Sequence, residues 1–167
     1  MSKAPSLNFY ASAFALTLVS SLTHAQAVRT EKNMSLELAN QIAAASVSAC
    51  TANGYNVTAT VVDRAGSVRA VQRADNAGPH TLAASQQKAY TSASAKNNTL
   101  AMMEAAQKNP AAANLVHIEG FLLLGGGVPV KVGNEVIGAV GIGGAPGGHL
   151  DEQCALAALD KVKDLLK

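Results

Sequence analysis

The 167-residue chain has no tryptophan, and its three tyrosines and three phenylalanines bring aromatic content to only 4%. A core without large rings must be packed from Ala, Val, Leu and Ile, which requires helices that approach the sheet closely. Charge is sparse as well, at 14% of residues with a formal net charge of +2. No run of Lys and Arg is interleaved with aromatics, so the composition argues against a nucleic-acid partner. Arg64, Arg69 and Arg73 gather around one expected hairpin and read as a solvated edge. The four histidines, His24, His80, His117 and His149, form no zinc motif at these spacings. There is no Gly-Lys-Ser/Thr triplet, and a G-x-G-x-x-G pattern begun at Gly141 would need glycine where Pro146 stands. A nucleotide phosphate cradle is thereby excluded. No Ser/His/Asp or Cys/His constellation is assignable, which leaves open whether the chain is an enzyme.

What is present begins with an export signal. Lys3 precedes a mostly apolar run from Phe9 to Leu22, and Ala25-Gln26-Ala27 supplies a small-residue cleavage pattern that places the cut before Val28. The apolar run is interrupted by serines and a threonine and is short for a membrane span of about 20 residues. The expected organisation is a signal peptide over 1–27, a short segment over 28–33 and one domain over 34–167, periplasmic or secreted, with no membrane span after signal removal. About 140 residues remain, a single-domain size able to bury a core.

A helix is expected from Ser35 to Ala52, with Ser35 as cap, Glu37 in the first turn, and Leu38, Ile42, Ala45 and Ala49 along one face. Asn53-Gly54 ends it. Val57–Asp63 and Ser67–Gln72 read as strands joined by Arg64-Ala65-Gly66. Pro79 then opens a helix to about Lys96 whose apolar side is Leu82, Ala89 and Ala93. Its Ser and Thr residues, among them Ser85, Thr91 and Ser92, would be unusual if wholly buried. A short helix capped by Thr99 is stopped at Asn109-Pro110, and Gly120–Leu124 reads as a further strand.

The stretch from Gly125 to Leu159 carries the strongest local signals. Val128–Val132 and Glu135–Ile142 flank Gly133-Asn134, a pair that closes a tight hairpin. Gly143, Gly144, Gly147 and Gly148 follow, then Asp151 and Glu152 in the first turn of a final helix, where their charge suits the helix dipole. Neighbouring helical positions point about 100° apart, so only one of the two carboxylates readily addresses a given ligand atom. Helix, two strands, helices, three strands and a helix make an α/β (α+β) domain with an antiparallel five-stranded sheet and flanking helices. Packing the first and last helices antiparallel on one sheet face brings Cys50 and Cys154, the only cysteines, near each other, either bridged or as two buried thiols.

Three ordered blocks, VVDRAGSVRAVQRADNAGP, QQKAYTSASAKNNT and GGGVPVKVGNEVIGAVGIGGAPGGHLDEQCALAAL, resemble the haem-degrading domain family, also called GlcG/HbpS-like. The resemblance covers about Met34 to Lys167. It implies a profilin-like architecture, assembly into homo-oligomers and, in several members, binding of haem or a related tetrapyrrole. Members include secreted haem-binding redox sensors, a domain attached to corrinoid adenosyltransferases and proteins encoded beside glycolate-oxidation enzymes. Two functions from different classes follow. The first is an exported haem-binding protein with a sensing, protective or slowly degrading role, its pocket formed by the middle helix and the glycine loop. The second is an enzyme or accessory protein acting on a small organic acid such as glycolate, through the glycine loop and Asp151.

For the first reading the candidate residues are His80, Lys88, Tyr90, Thr99, Gly143, Gly144, His149 and Asp151. His80 leads as axial ligand because imidazole is the best iron ligand on offer. Thr99 is its rival by alignment with a hydroxyl beside the iron in haem-sensing relatives. Lys88 is placed to reach a propionate and Tyr90 to stack or hydrogen-bond, with a packing role for Tyr90 as the alternative.

Overall fold

A computed structural model describes residues 27–167. The expected signal peptide lies, apart from Ala27, outside the described residues. Positions 27–30 are exposed and carry no regular element, and Glu31–Lys167 form one compact unit.

The first helix, α1 (Leu36–Ala52), starts where its cap dictates: the Ser35 hydroxyl accepts the Leu38 N–H at 3.1 Å. β1 (Thr58–Asp63) and β2 (Val68–Arg73) form the first hairpin. Its turn is closed by one Asp63 carboxylate oxygen, which accepts the N–H groups of Ala65 and Ser67 at 3.0 Å each. Then come α2 (His80–Ala95), α3 (Thr99–Lys108), the single turn α4 (Pro110–Ala113) and a 3-10 turn over Asn114–His117. β3 (Gly127–Val132) and β4 (Glu135–Gly143) make the second hairpin, in which Gly133 alone takes a positive φ of 60°. α5 (Gly148–Lys161) and a 3-10 turn over Lys163–Leu165 end the chain.

Among the described residues the sheet has four strands in the order β2-β1-β4-β3, each pair antiparallel. This corrects the expected fifth strand. Gly120–Leu124 is a loop held to the helices at two backbone groups: the Leu122 N–H donates to Thr91 Oγ1, and the Leu124 carbonyl accepts from Thr99 Oγ1. With those groups already paired, the segment has no ladder to join.

Helices α1 and α5 cover one sheet face and α2 the other. On the first face Ile42 and Ala43 of α1 meet Ala59, Val61, Val140 and Ile142. The same face holds a disulfide between Cys50 and Cys154, with Cα atoms 5.3 Å apart, which decides between the bridged and free alternatives. The second face is made of small residues. A Cβ at Gly141 would stand 2.1 Å from the Ser85 carbonyl oxygen and 2.4 Å from the Ala89 nitrogen, so α2 lies directly on the β4 backbone.

The hydroxyl-rich side of α2 is therefore buried, contrary to expectation. Thr58 pairs with Thr81 and Thr60 with Ser85, both at 2.7 Å, so each buried hydroxyl has a partner. Leu82, expected on the apolar side, is 47% exposed because Thr81, Ser85 and Ala89 occupy the side of α2 that faces the sheet.

Candidate functional site

The interior of the molecule collects three of the expected site residues around Gly126 and Gly127. Lys88, 1% exposed, reaches from α2 past the end of β4, where its Nζ donates to Asp151 Oδ2 at 2.7 Å and to the Ile142 carbonyl at 2.8 Å. Asp151 Oδ1 accepts the Ala145 N–H at 3.0 Å, so one carboxylate ties the glycine loop to α2. Burial pushes the Asp151 carboxyl above its ordinary pKa, while the Lys88 ammonium and the Ala145 amide pull it back. Gly126 roofs this pair: a Cβ there would come 2.7 Å from the Asp151 Cβ and 3.1 Å from Lys88 Nζ. Lys88 thus points inward and is committed, where the sequence reading turned it toward a propionate.

Thr99 is fully buried beside the same roof. Its hydroxyl donates to the Leu124 carbonyl at 2.7 Å and accepts the Gly127 N–H at 2.8 Å. The expected cap is corrected: Asn98 occupies the cap position of α3, and Thr99 is the first helical residue, holding the 120–127 loop instead. Asn98 in turn donates to Glu152 Oε1 at 2.8 Å, while the buried Glu152 Oε2 has no hydrogen-bond partner among the described residues.

The glycine loop is closed rather than open to a ligand. Gly143 lies against Ala84, Ser85 and Thr81 of α2, and Gly144, at a φ of 134°, lies 2.5 Å (measured from its built Cβ) from the Asn56 carbonyl. Such close approaches are what require glycine here. His149 is exposed with its ring folded over Gly147.

His80 and Tyr90 sit elsewhere, on the outer side of α2. His80, Ala83, Gln87 and Tyr90 follow at helical spacing along one stripe. His80 is exposed, its ring against Gly78. Tyr90 is wedged between two glycines of positive φ, with built Cβ positions 2.7 Å away at Gly66 and 3.1 Å away at Gly120. Phe121 meets it edge-on at a centroid distance of 6.2 Å.

Along this stripe opens a cleft of about 510 Å³ lined by Gly66, Ala83, Gln86, Gln87, Tyr90, Glu119 and Gly120. Its volume falls in the range of small-molecule sites. The sequence reading named Tyr90 but missed the rest of the lining, which comes from three separate segments. The signal that was available is the i, i+4, i+7 spacing of Ala83, Gln87 and Tyr90, an outward stripe without charge. Thr99 lies beyond the other end of α2 from His80, a helix about 24 Å long, so the two rival ligands belong to separate places. Among the described residues no group of three or more His, Cys, Asp or Glu is placed to hold a metal ion.

The family described as "Haem degrading protein HbpS-like" matches residues 34–160. The chain belongs to this family. Protein GlcG of Escherichia coli strain K12 is 34% identical over 115 residues, covering 69% of this chain and 84% of its own length. The crystal structure of a Streptomyces reticuli HbpS double mutant superposes with a TM-score of 0.76 at 32% identity, covering 91% of this HbpS-like chain and 98% of that one. The PduOC:heme complex, at 21% identity and a TM-score of 0.68, covers 77% of this chain and 94% of its own and shares the fold. This HbpS-like chain thus carries the family's α/β layout, and its link to haem stands at the level of the family's description. Among its described residues, no helix is long and apolar enough to cross a membrane.

Proposed function

We propose that this chain is an exported haem- or tetrapyrrole-binding protein, with its site on the outer stripe of α2 from His80 to Tyr90. The observation that carries the reading is the coincidence, on one exposed helix face, of an imidazole, a phenol and a cleft of about 510 Å³ in a chain of the HbpS-like haem-degrading family. The donor types fit haem: imidazole is a common axial ligand and phenol a known one. In this reading His80 would hold the haem iron, while Tyr90, about 15 Å of helix rise further along α2, lines the cleft. Bound haem would supply redox and oxygen chemistry, and the chain's own residues orient it and limit its exposure.

Thr99 is poorly suited to the iron, since both of its hydrogen bonds hold the 120–127 loop and it has no exposed surface. The small-acid reading rests on Asp151, which is 2% exposed and already holds Lys88 and Ala145. The Cys50–Cys154 bridge supports a periplasmic or secreted location, because disulfides persist in oxidising compartments. Exposed Val116, Ile118 and Leu124, on a segment that buries little, support a homo-oligomer.

Titrating the purified protein with hemin tests the reading. A Soret band that saturates at a fixed stoichiometry, and shifts or disappears in His80→Ala while the far-UV CD stays unchanged, is the expected result. Featureless adsorption without saturation would reject haem, and an unchanged band in His80→Ala would reject the ligand.

A further inference from the structure

The two edges of the sheet are finished differently. β3 is guarded along its length: the Gly127 N–H donates to Thr99 Oγ1, Pro129 has no N–H to offer, and the register shifts between Val130 and Lys131. β2 has no such guard over Ala70–Arg73, because its one register shift falls beside the turn, where Val62 pairs with Val68.

The register fixes which backbone groups of β2 are open. The Ala74 N–H donates to the Val57 carbonyl at 2.9 Å, so Gln72 and Ala70, at alternate positions from it, share the ladder bonds with Ala59 and Val61. Val71 and Arg73 therefore turn their backbone groups away from β1, where they find no protein partner among the described residues. Val71 stands opposite Thr60, whose hydroxyl meets Ser85 on the α2 side. Yet α2 lies over β1, β4 and β3, which leaves Val68 45% and Val71 42% exposed at the edge. By strand alternation Arg69 and Arg73 flank Val71 on that face. Both arginines are exposed, and neither makes an ion pair among the described residues. The Arg73 Nη2 donates to the Ala77 carbonyl, which anchors the stem and leaves its other N–H groups available to an anion.

We propose that β2 is a docking edge for an extended acidic segment of another protein. The segment adds a strand to the sheet through main-chain bonds to Val71 and Arg73, sets carboxylates against Arg69 and Arg73, and lays an apolar side chain beside Val71. Residues sharing one face of a strand recur at every second position, so the matching pattern is acid-x-apolar-x-acid. A second copy of this edge does not supply it. β2 contains no acidic residue, and two β2 strands paired antiparallel about Val71 would set Arg69 directly opposite Arg73, a destabilising like-charge pair. The inference stands apart from the haem reading, since none of these β2 residues lines the cleft.

Fluorescence anisotropy with a labelled peptide, Thr-Glu-Thr-Val-Thr-Glu-Thr, and its lysine-for-glutamate counterpart tests this on the full mature chain. The glutamate peptide binds saturably and the lysine peptide does not. N-methylation of the peptide's central valine, whose N–H faces β2, abolishes binding, whereas N-methylation of the threonine after it, whose N–H faces solvent, does not. Val71→Pro removes an outward N–H that the ladder does not use, so it loses the peptide while the far-UV CD is retained. Arg69→Gln/Arg73→Gln weakens the glutamate peptide by about 3- to 10-fold, the range of exposed charge pairs. No saturable binding of the glutamate peptide, equal binding of the lysine peptide, or equal affinity for the two methylated forms overturns the proposal. The methylated pair decides the matter even if Val71→Pro fails to fold. Self-association in sedimentation that Val71→Pro abolishes would put a second copy on this edge and overturn the proposal as well.

Discussion

Replacing Lys88 with methionine removes a buried cation while keeping most of its volume. The wild-type ammonium is held by Asp151 at 2.7 Å and the Ile142 carbonyl at 2.8 Å, with both side chains of the pair nearly inaccessible. Without it, the Asp151 carboxylate retains only the Ala145 N–H, and the Ile142 carbonyl loses this donor. Breaking a buried pair from one side costs about 3–5 kcal/mol, because the remaining charge is uncompensated. The pH dependence has a definite sign. Burial already raises Asp151 above its ordinary value, and deleting Lys88 removes the main opposing influence, so the folded variant holds a proton where the unfolded chain has lost it. Stability tied to that proton is fully present below the unfolded carboxylate pKa, near 3.9, and is lost as pH rises toward the raised folded value. The deficit of Lys88→Met relative to wild type therefore narrows on acidification. Urea unfolding at several pH values, with m held as a check on two-state behaviour, measures this. The double variant Lys88→Met/Asp151→Leu should recover most of the loss, since an apolar pair leaves no buried charge. A single-variant cost below about 1 kcal/mol, or a double variant no better than the single, would refute the account of this pair.

The Cys50–Cys154 bridge closes a long loop, at a separation of 104 residues, and its removal in Cys50→Ala/Cys154→Ala should cost about 2–5 kcal/mol. Alkylation of the non-reduced, unfolded protein followed by mass spectrometry should find no free thiol, and two modified cysteines would contradict the bridge. Gly141→Ala inserts a methyl 2.1 Å from the Ser85 carbonyl, so α2 must lift from the sheet, and thermal unfolding should show a loss of at least about 3 kcal/mol or no folded protein. A near-neutral Gly141→Ala would mean that α2 does not lie on β4 as described.

Local signals carried much of the fold into the sequence. Ser35 as a helix cap, Gly66 and Gly133 as turn residues and the β-branched runs of both hairpins each depend on neighbours a few positions away, so their meaning survives without tertiary context. The family blocks were legible for the same reason, as ordered patterns of residues. Tertiary structure decided what those patterns do. Lys88 lies 63 residues from Asp151, and no spacing rule says that the two will meet under Gly126 rather than face a ligand. The hydroxyls of α2 look solvated until Thr58 and Thr60 are placed opposite them across the sheet. Gly120–Leu124 has the composition of a strand, and only the hydroxyls of Thr91 and Thr99, reaching it from two helices, divert its backbone from the ladder. The cleft is the same case: Gly66, Tyr90 and Glu119 acquire a common meaning only when two turns are folded against one helix. Sequence determines the elements because their causes are short-range, and packing decides the site because its charges and cavities are made by residues that only folding brings together.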